Sequence, residues 1–104
     1  TLIYNDNQIY INVTGNPALA NAGQGDTLTG IILGFLAQNV SPIDATRLGV
    51  FIHGLAGDRL MIKNKGYNGV SASMVAEEVC NVINELIYGE LFNQDIFDLI
   101  CYNL

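Results

Sequence analysis

Apolar residues follow two rhythms along this chain. Residues 1–4 and 8–13 are short runs rich in Ile, Tyr and Val, separated by Asn5-Asp6-Asn7. β-Branched and aromatic side chains suit extended backbone, and Asn and Asp tolerate positive φ, so residues 1–13 are expected to form a β-hairpin. Residues 14–25 lose all periodicity: three glycines, a proline and three alanines predict a loop. From Asp26 the rhythm becomes helical, with Leu28, Ile31, Ile32, Phe35 and Leu36 at helical spacing and Leu33 on another side. A helix apolar nearly all round is expected to be buried, and Asn39 can end it.

Ser41-Pro42-Ile43-Asp44 is a strong helix start: a capping hydroxyl, a proline at the first helical position and a carboxylate near the positive end of the dipole. That helix is expected to reach about Leu60, with Ala45, Leu48, Ile52, Leu55 and Ala56 facing inward. Residues 63–69 read as a basic connector whose lysines are solvated. Ser71 or Ser73 then caps a helix with the stripe Val75, Val79, Val82, Ile83 and Leu86. Beyond Gly89, Phe92, Ile96, Leu99 and Ile100 predict a further helix, which packs on its own domain or against another subunit.

Two strands followed by three or four helices do not make a balanced core. The pattern fits the last third of a larger α/β domain whose central sheet lies upstream, and a start inside a strand is expected of a fragment or a processed chain. Composition points the same way. Only 13% of the 104 residues are charged while 50% are hydrophobic, against about 25% charged in an average soluble protein. A small domain has much surface to solvate, so much of this surface is expected to be covered.

The formal net charge is -6 with four Lys and Arg, too few for a basic face on nucleic acid. A single nucleotide, held by backbone N–H groups, stays open. The longest uncharged stretch, residues 27–43, is interrupted by Gly, Gln, Asn, Ser and Pro, which argues against a membrane span. Cys80, Cys101 and His53 lack zinc-ligand spacing; no metal ligand is assigned, and the cysteines are expected to be buried thiols in a cytoplasmic protein.

The chemistry, if any, sits at Ala22-Gly23-Gln24-Gly25-Asp26, which leads into a helix. Unsatisfied N–H groups and the helix dipole attract an anion there, and glycines let it approach the backbone. Asp26 beside such a cradle could take a proton from a hydroxyl attacking phosphorus. On spacing alone, a helix cap at Asp26 and a simple glycine turn explain the same residues. No Walker A Gly-Lys-Ser/Thr is present, and the third position of a dinucleotide fingerprint is Leu28.

The longer context narrows this. Thr14-Gly15-Asn16-Pro17, then Gly23-Gln24-Gly25-Asp26-Thr27-Leu28-Thr29-Gly30, then His53-Gly54-Leu55-Ala56-Gly57-Asp58 together resemble the ADP- or ATP-dependent NAD(P)H-hydrate dehydratases of the ribokinase-like superfamily, over roughly residues 1–86. The resemblance implies the C-terminal part of a three-layer α/β/α domain that restores hydrated NADH or NADPH by phosphorylating its hydroxyl and eliminating phosphate. It implies that Asn16, Ala22, Gly23, Gln24 and Gly25 face the nucleotide and that Asp26 is catalytic base and substrate contact. It also implies Mg2+ on the phosphates and a homotetramer. His53 is either a substrate contact or a packed core histidine. Asp58 is expected to satisfy backbone or a cation near a helix end.

The chain departs from the family pattern in places. Bacterial members usually carry Ser at the position of Gln24, a change expected to matter little if the loop acts through its backbone. Ser73-Met74-Val75 stands where Ser-Asp-Leu is expected, and the tail from Gly89 has no clear counterpart. The family's Lys-Gly-x-x-Thr nucleotide loop would lie upstream. A hydroxyethylthiazole- or hydroxymethylpyrimidine-type kinase shares a related loop and is the rival enzyme reading; a non-catalytic piece of a nicked enzyme is the third.

Overall fold

The structure, a computed structural model, describes residues 1–89. Strands β1 (Leu2–Asn5) and β2 (Gln8–Ile11) precede a 3-10 turn (Pro17–Leu19) and helices α1 (Gln24–Ala37), α2 (Pro42–Asn64) and α3 (Ala72–Tyr88). This is an α/β arrangement: one hairpin and three helices.

The strands pair antiparallel, Leu2 with Ile11 and Asn5 with Gln8. Asp6 (φ 48°) and Asn7 (φ 61°) make the two-residue connection, the backbone that a tight hairpin needs and that Asp and Asn tolerate. Side chains alternate between the faces. Ile3 is buried, and Tyr10 beside it stacks under Arg47 of α2, whose guanidinium carbon lies 4.3 Å from the ring centroid. Leu2, Tyr4, Ile9 and Ile11 share the other face and are all exposed.

The central helix is α2, which touches α1, α3, β1 and the 3-10 turn. Gly49, Val50, Phe51, Ile52, His53 and Gly54 are all buried, so its middle is enclosed nearly all round. The expectation for α1 is corrected: among its residues only Gln24 is buried, and Leu33 and Leu36 are exposed. An apolar helix is enclosed only where neighbours stand on every side, and α1 packs mainly on α2. Its outer face resembles the hairpin's outer face in being apolar and open. The core comprises Ala18, Phe51, Ile52, Ala56, Leu60, Val70, Val75, Val79 and Val82.

α2 runs to Asn64 rather than Leu60, and Lys65 ends it in the left-handed region (φ 56°). The extra turn carries Lys63 to Glu78 of α3, Nζ to Oε2 2.8 Å, so Lys63 belongs to the helix and is paired, while its side chain stays half-exposed to solvent. Arg59 Nε also meets Glu78, Oε1 at 3.0 Å, and its Nη groups pair with Glu85. Glu78 is buried, and a buried carboxylate is tolerable only when paired in this way.

Caps form where short-range chemistry dictates. Ser41 accepts from the Asp44 amide and Ser71 from the Met74 amide, which selects Ser71 over Ser73. Asn39 (φ 64°) terminates α1. Cys80 is exposed, contrary to the buried thiol expected, because α3 turns Val75, Glu78, Val79 and Val82 inward instead. Cys101 and the helix expected beyond Gly89 lie outside the described residues.

Candidate functional site: a bare helix start held from behind

The loop reaches α1 through Gly23, the N-cap, at φ 88° and ψ -10°. A side chain is strained there, and a Cβ would stand 3.0 Å from Ala72 Cβ. α1 therefore begins at Gln24, two positions earlier than Asp26. Asp26 is not the cap: it sits exposed in the first turn, without a hydrogen bond or ion pair to the described residues.

Glycine at the cap leaves no side chain to satisfy the first turn, and no side-chain cap bond forms. The first intrahelical amide is that of Thr27, bonded to Gly23 O at 3.0 Å. The amides of Gln24, Gly25 and Asp26 precede it, at the positive end of the dipole. Gly25 adds space. A Cβ there would meet nothing within 4 Å, so the fold itself does not require glycine at this position. What its absence of a side chain preserves is bare backbone facing outward.

Gln24 points the other way. It is 6% exposed; its Oε1 lies 3.0 Å from His53 Nε2, and its Nε2 donates to Asn21 Oδ1 at 2.9 Å. Asn21 Nδ2 donates to two carbonyls, Ala18 O and Val70 O, both at 2.8 Å. Those carbonyls accept only, which fixes the orientation of the Asn21 amide. Its Oδ1 must then accept from Gln24 Nε2, leaving Gln24 Oε1 as acceptor. His53 is thereby assigned the tautomer with hydrogen on Nε2. Burial lowers the pKa of His53 from 6.5, which favours the same neutral ring.

The upstream loop is clamped by the same helix. Asp58 accepts from the Gly15 amide at 3.0 Å and from Asn16 Nδ2 at 2.8 Å, while Asn16 Oδ1 accepts from the Ala18 amide at 2.8 Å and caps the 3-10 turn. Asp58 lies six residues inside the end of α2, so it serves backbone as expected but not at a helix terminus. Thr14 Oγ1 donates to Phe51 O at 2.9 Å. Glycines make this approach possible: Thr14 atoms occupy the space of a Cβ on Gly54, and Leu19 Cδ2 would be 2.7 Å from one on Gly57.

Gly23, Gln24, Gly25 and Asp26 thus form one continuous helix start, with Ala22 exposed just before it. Asn16 belongs to the clamped part of the loop, its side chain committed to Asp58 and Ala18. His53 lies behind the loop, 8% exposed, against Gln24. Sequence reasoning missed the Gln24 side chain and Asn21. The available signal was Gln24 itself, a long amide where a short hydroxyl is usual. Among the described residues, no group of three or more His, Cys, Asp or Glu could hold a metal ion, and no helix is long and apolar enough to cross a membrane.

The α1 start is glycine-capped, with an exposed carboxylate in its first turn that is unpaired among the described residues, an arrangement chemically able to receive an anion at its amides. The family profile for NAD(P)H-hydrate dehydratase (Carb_kinase) matches residues 1–81, and the chain belongs to that family. Similar proteins include the bifunctional NAD(P)H-hydrate repair enzyme Nnr of Moorella thermoacetica, 42% identical over 78% of this chain and 15% of the relative. The enzyme of the same name from Vibrio cholerae is 39% identical over 81% of this chain and 17% of its own length. The ADP-dependent (S)-NAD(P)H-hydrate dehydratase of Neisseria meningitidis is 43% identical over 71% of this chain and 24% of its own. The chain therefore spans a quarter or less of these relatives. No solved structure matches it.

Proposed function

We propose that this chain supplies the phosphate-binding and proton-accepting part of an enzyme that dehydrates hydrated NADH or NADPH at the expense of ADP or ATP. The observation that carries the reading is the α1 start: first-turn amides with no side-chain cap, open space at Gly25 and an exposed Asp26 carboxylate that is unpaired among the described residues. The printed names of the relatives supply the reaction.

In this reading the Asn16 segment and Ala22 to Gly25 face the nucleotide through backbone amides. These are already in place when charge develops on the transferring phosphoryl group. Asp26 accepts the proton of the substrate hydroxyl as its oxygen bonds to phosphorus and the nucleotide leaves. Phosphate then departs with the C–O bond, a proton is lost from the neighbouring carbon, and the ring double bond returns. The described residues offer no ready-made Mg2+ site, and no step here runs through the metal.

The same reading places the chain as the C-terminal part of a ribokinase-like three-layer domain, with residues 1–13 as hairpin, 14–25 as anion loop and 26–88 as helices. The open apolar faces of the hairpin and α1 support more protein around them. A homotetramer in the cytoplasm belongs to the proposal as well. The complete protein, given hydrated NADH with ADP or ATP, should recover the absorbance of the reduced ring near about 340 nm. No recovery with either nucleotide would sink the reading.

A further inference from the structure

We propose that His53 is a positioning residue for nucleotide binding, acting through the Gln24 side chain on the first turn of α1. This rests on the reading of that turn as the phosphate site.

His53 and Gln24 are 29 positions apart and belong to different helices, yet both are buried and bonded at 3.0 Å. Gln24 is the first residue of α1. Its side chain is anchored inward while the next two residues, Gly25 and Asp26, are exposed, so the anchor sets the position of the first-turn amides beside it. The anchor continues through Asn21 to the carbonyls of Ala18, in the 3-10 turn, and Val70, before α3. One relay thus ties the anion-facing turn to α2, to the upstream loop and to the α2–α3 connector. The direction of the relay is fixed at its far end, where Asn21 Nδ2 donates to two carbonyls that can only accept.

The chemistry of the relay is specific. It needs a donor at the position of His53 Nε2 and a side chain at 24 long enough to meet it. A glutamine at 53 can present an amide nitrogen near the place of Nε2, whereas an asparagine is shorter and falls near Nδ1. A serine at 24 ends two carbons short of the amide. The Gln24 side chain is therefore a structural link and not a neutral variation of the loop.

The test uses the complete protein, with ADP or ATP binding read by calorimetry and turnover of hydrated NADH read separately. His53→Leu should weaken nucleotide binding about tenfold or more, the scale of a misplaced binding element, and leave KM for hydrated NADH within about threefold. His53→Gln should restore nucleotide binding to within about threefold, and His53→Asn should not. Gln24→Ser should reproduce the His53→Leu defect, and the two together should be no worse than either. This second route tests the relay even if His53→Leu fails to fold.

Unchanged nucleotide affinity in folded His53→Leu or Gln24→Ser overturns the proposal. So does a rise in KM for hydrated NADH alone, which would make His53 a direct substrate contact. An unsubstituted protein that binds nucleotide without turning over hydrated NADH overturns the dehydratase reading and leaves the relay standing. One that binds no nucleotide overturns both.

Discussion

Asp58 holds the backbone amide of Gly15 at 3.0 Å from 43 positions away. The same carboxylate accepts from the side-chain amide of Asn16, so one side chain on α2 governs the entry to the loop. Asp58→Ala leaves the Gly15 amide and Asn16 Nδ2 without their acceptor. That should cost about 1–3 kcal/mol where the groups are shielded from water. Hydrogen exchange of peptides covering residues 14–19 should accelerate in the complete protein, while peptides in α3 keep their protection. Unchanged exchange at the loop would show that the glycine contacts hold it alone.

Asp26 and the dipole offer a separate test. Asp26→Asn should keep nucleotide affinity and lower kcat by about 10² or more, the scale of a lost general base. A near-normal kcat would leave Asp26 as a first-turn carboxylate worth about 0.3–1 kcal/mol to the helix.

Gly23 and Gly25 should respond in opposite ways to alanine. Gly23→Ala forces a side chain into positive φ and against Ala72, and should lower stability by about 1–2 kcal/mol. Gly25→Ala meets open space and should raise helix stability by up to about 1 kcal/mol. It should nevertheless weaken nucleotide binding, because the added methyl stands on the bare face. Thermal melting and calorimetry on both variants read this directly. A Gly25→Ala protein with full affinity would remove Gly25 from the phosphate site.

The pH dependence has a definite sign. Burial lowers the folded pKa of His53 below 6.5, so the unfolded chain binds its proton first as acid is added. The associated stability is fully present above pH 6.5 and is lost as the pH falls through the folded value. Glu85 is also lowered, first by its hydrogen bond from Arg59, so its contribution is present above the ordinary 4.5 and lost further into acid. Melting temperatures measured from pH 8 to 5 should fall for the unsubstituted protein below about 6.5 and flatten for His53→Gln. Equal slopes in both proteins would remove His53 as the group responsible.

Much of the local structure was legible in the chain. Asp6-Asn7 specified a tight turn, Ser41-Pro42 a helix start, Asn39 a helix end, and the three motif blocks a family and a loop. These rest on bonds between residues a few positions apart, and neighbouring chemistry is what a sequence displays. The start of α1 was misplaced by two residues because Asp favours caps, whereas the tight approach to Ala72 made Gly23 the cap.

Tertiary structure alone decided which apolar helix lies at the centre. α1 and α2 are both rich in apolar residues, but α2 has neighbours on every side and α1 does not. It also decided that Lys63 meets Glu78 and that Gln24 turns inward to His53. Such partners are brought together by helix packing across 15 and 29 positions. Hydropathy periodicity records which face of a helix is apolar; it does not record what stands opposite that face.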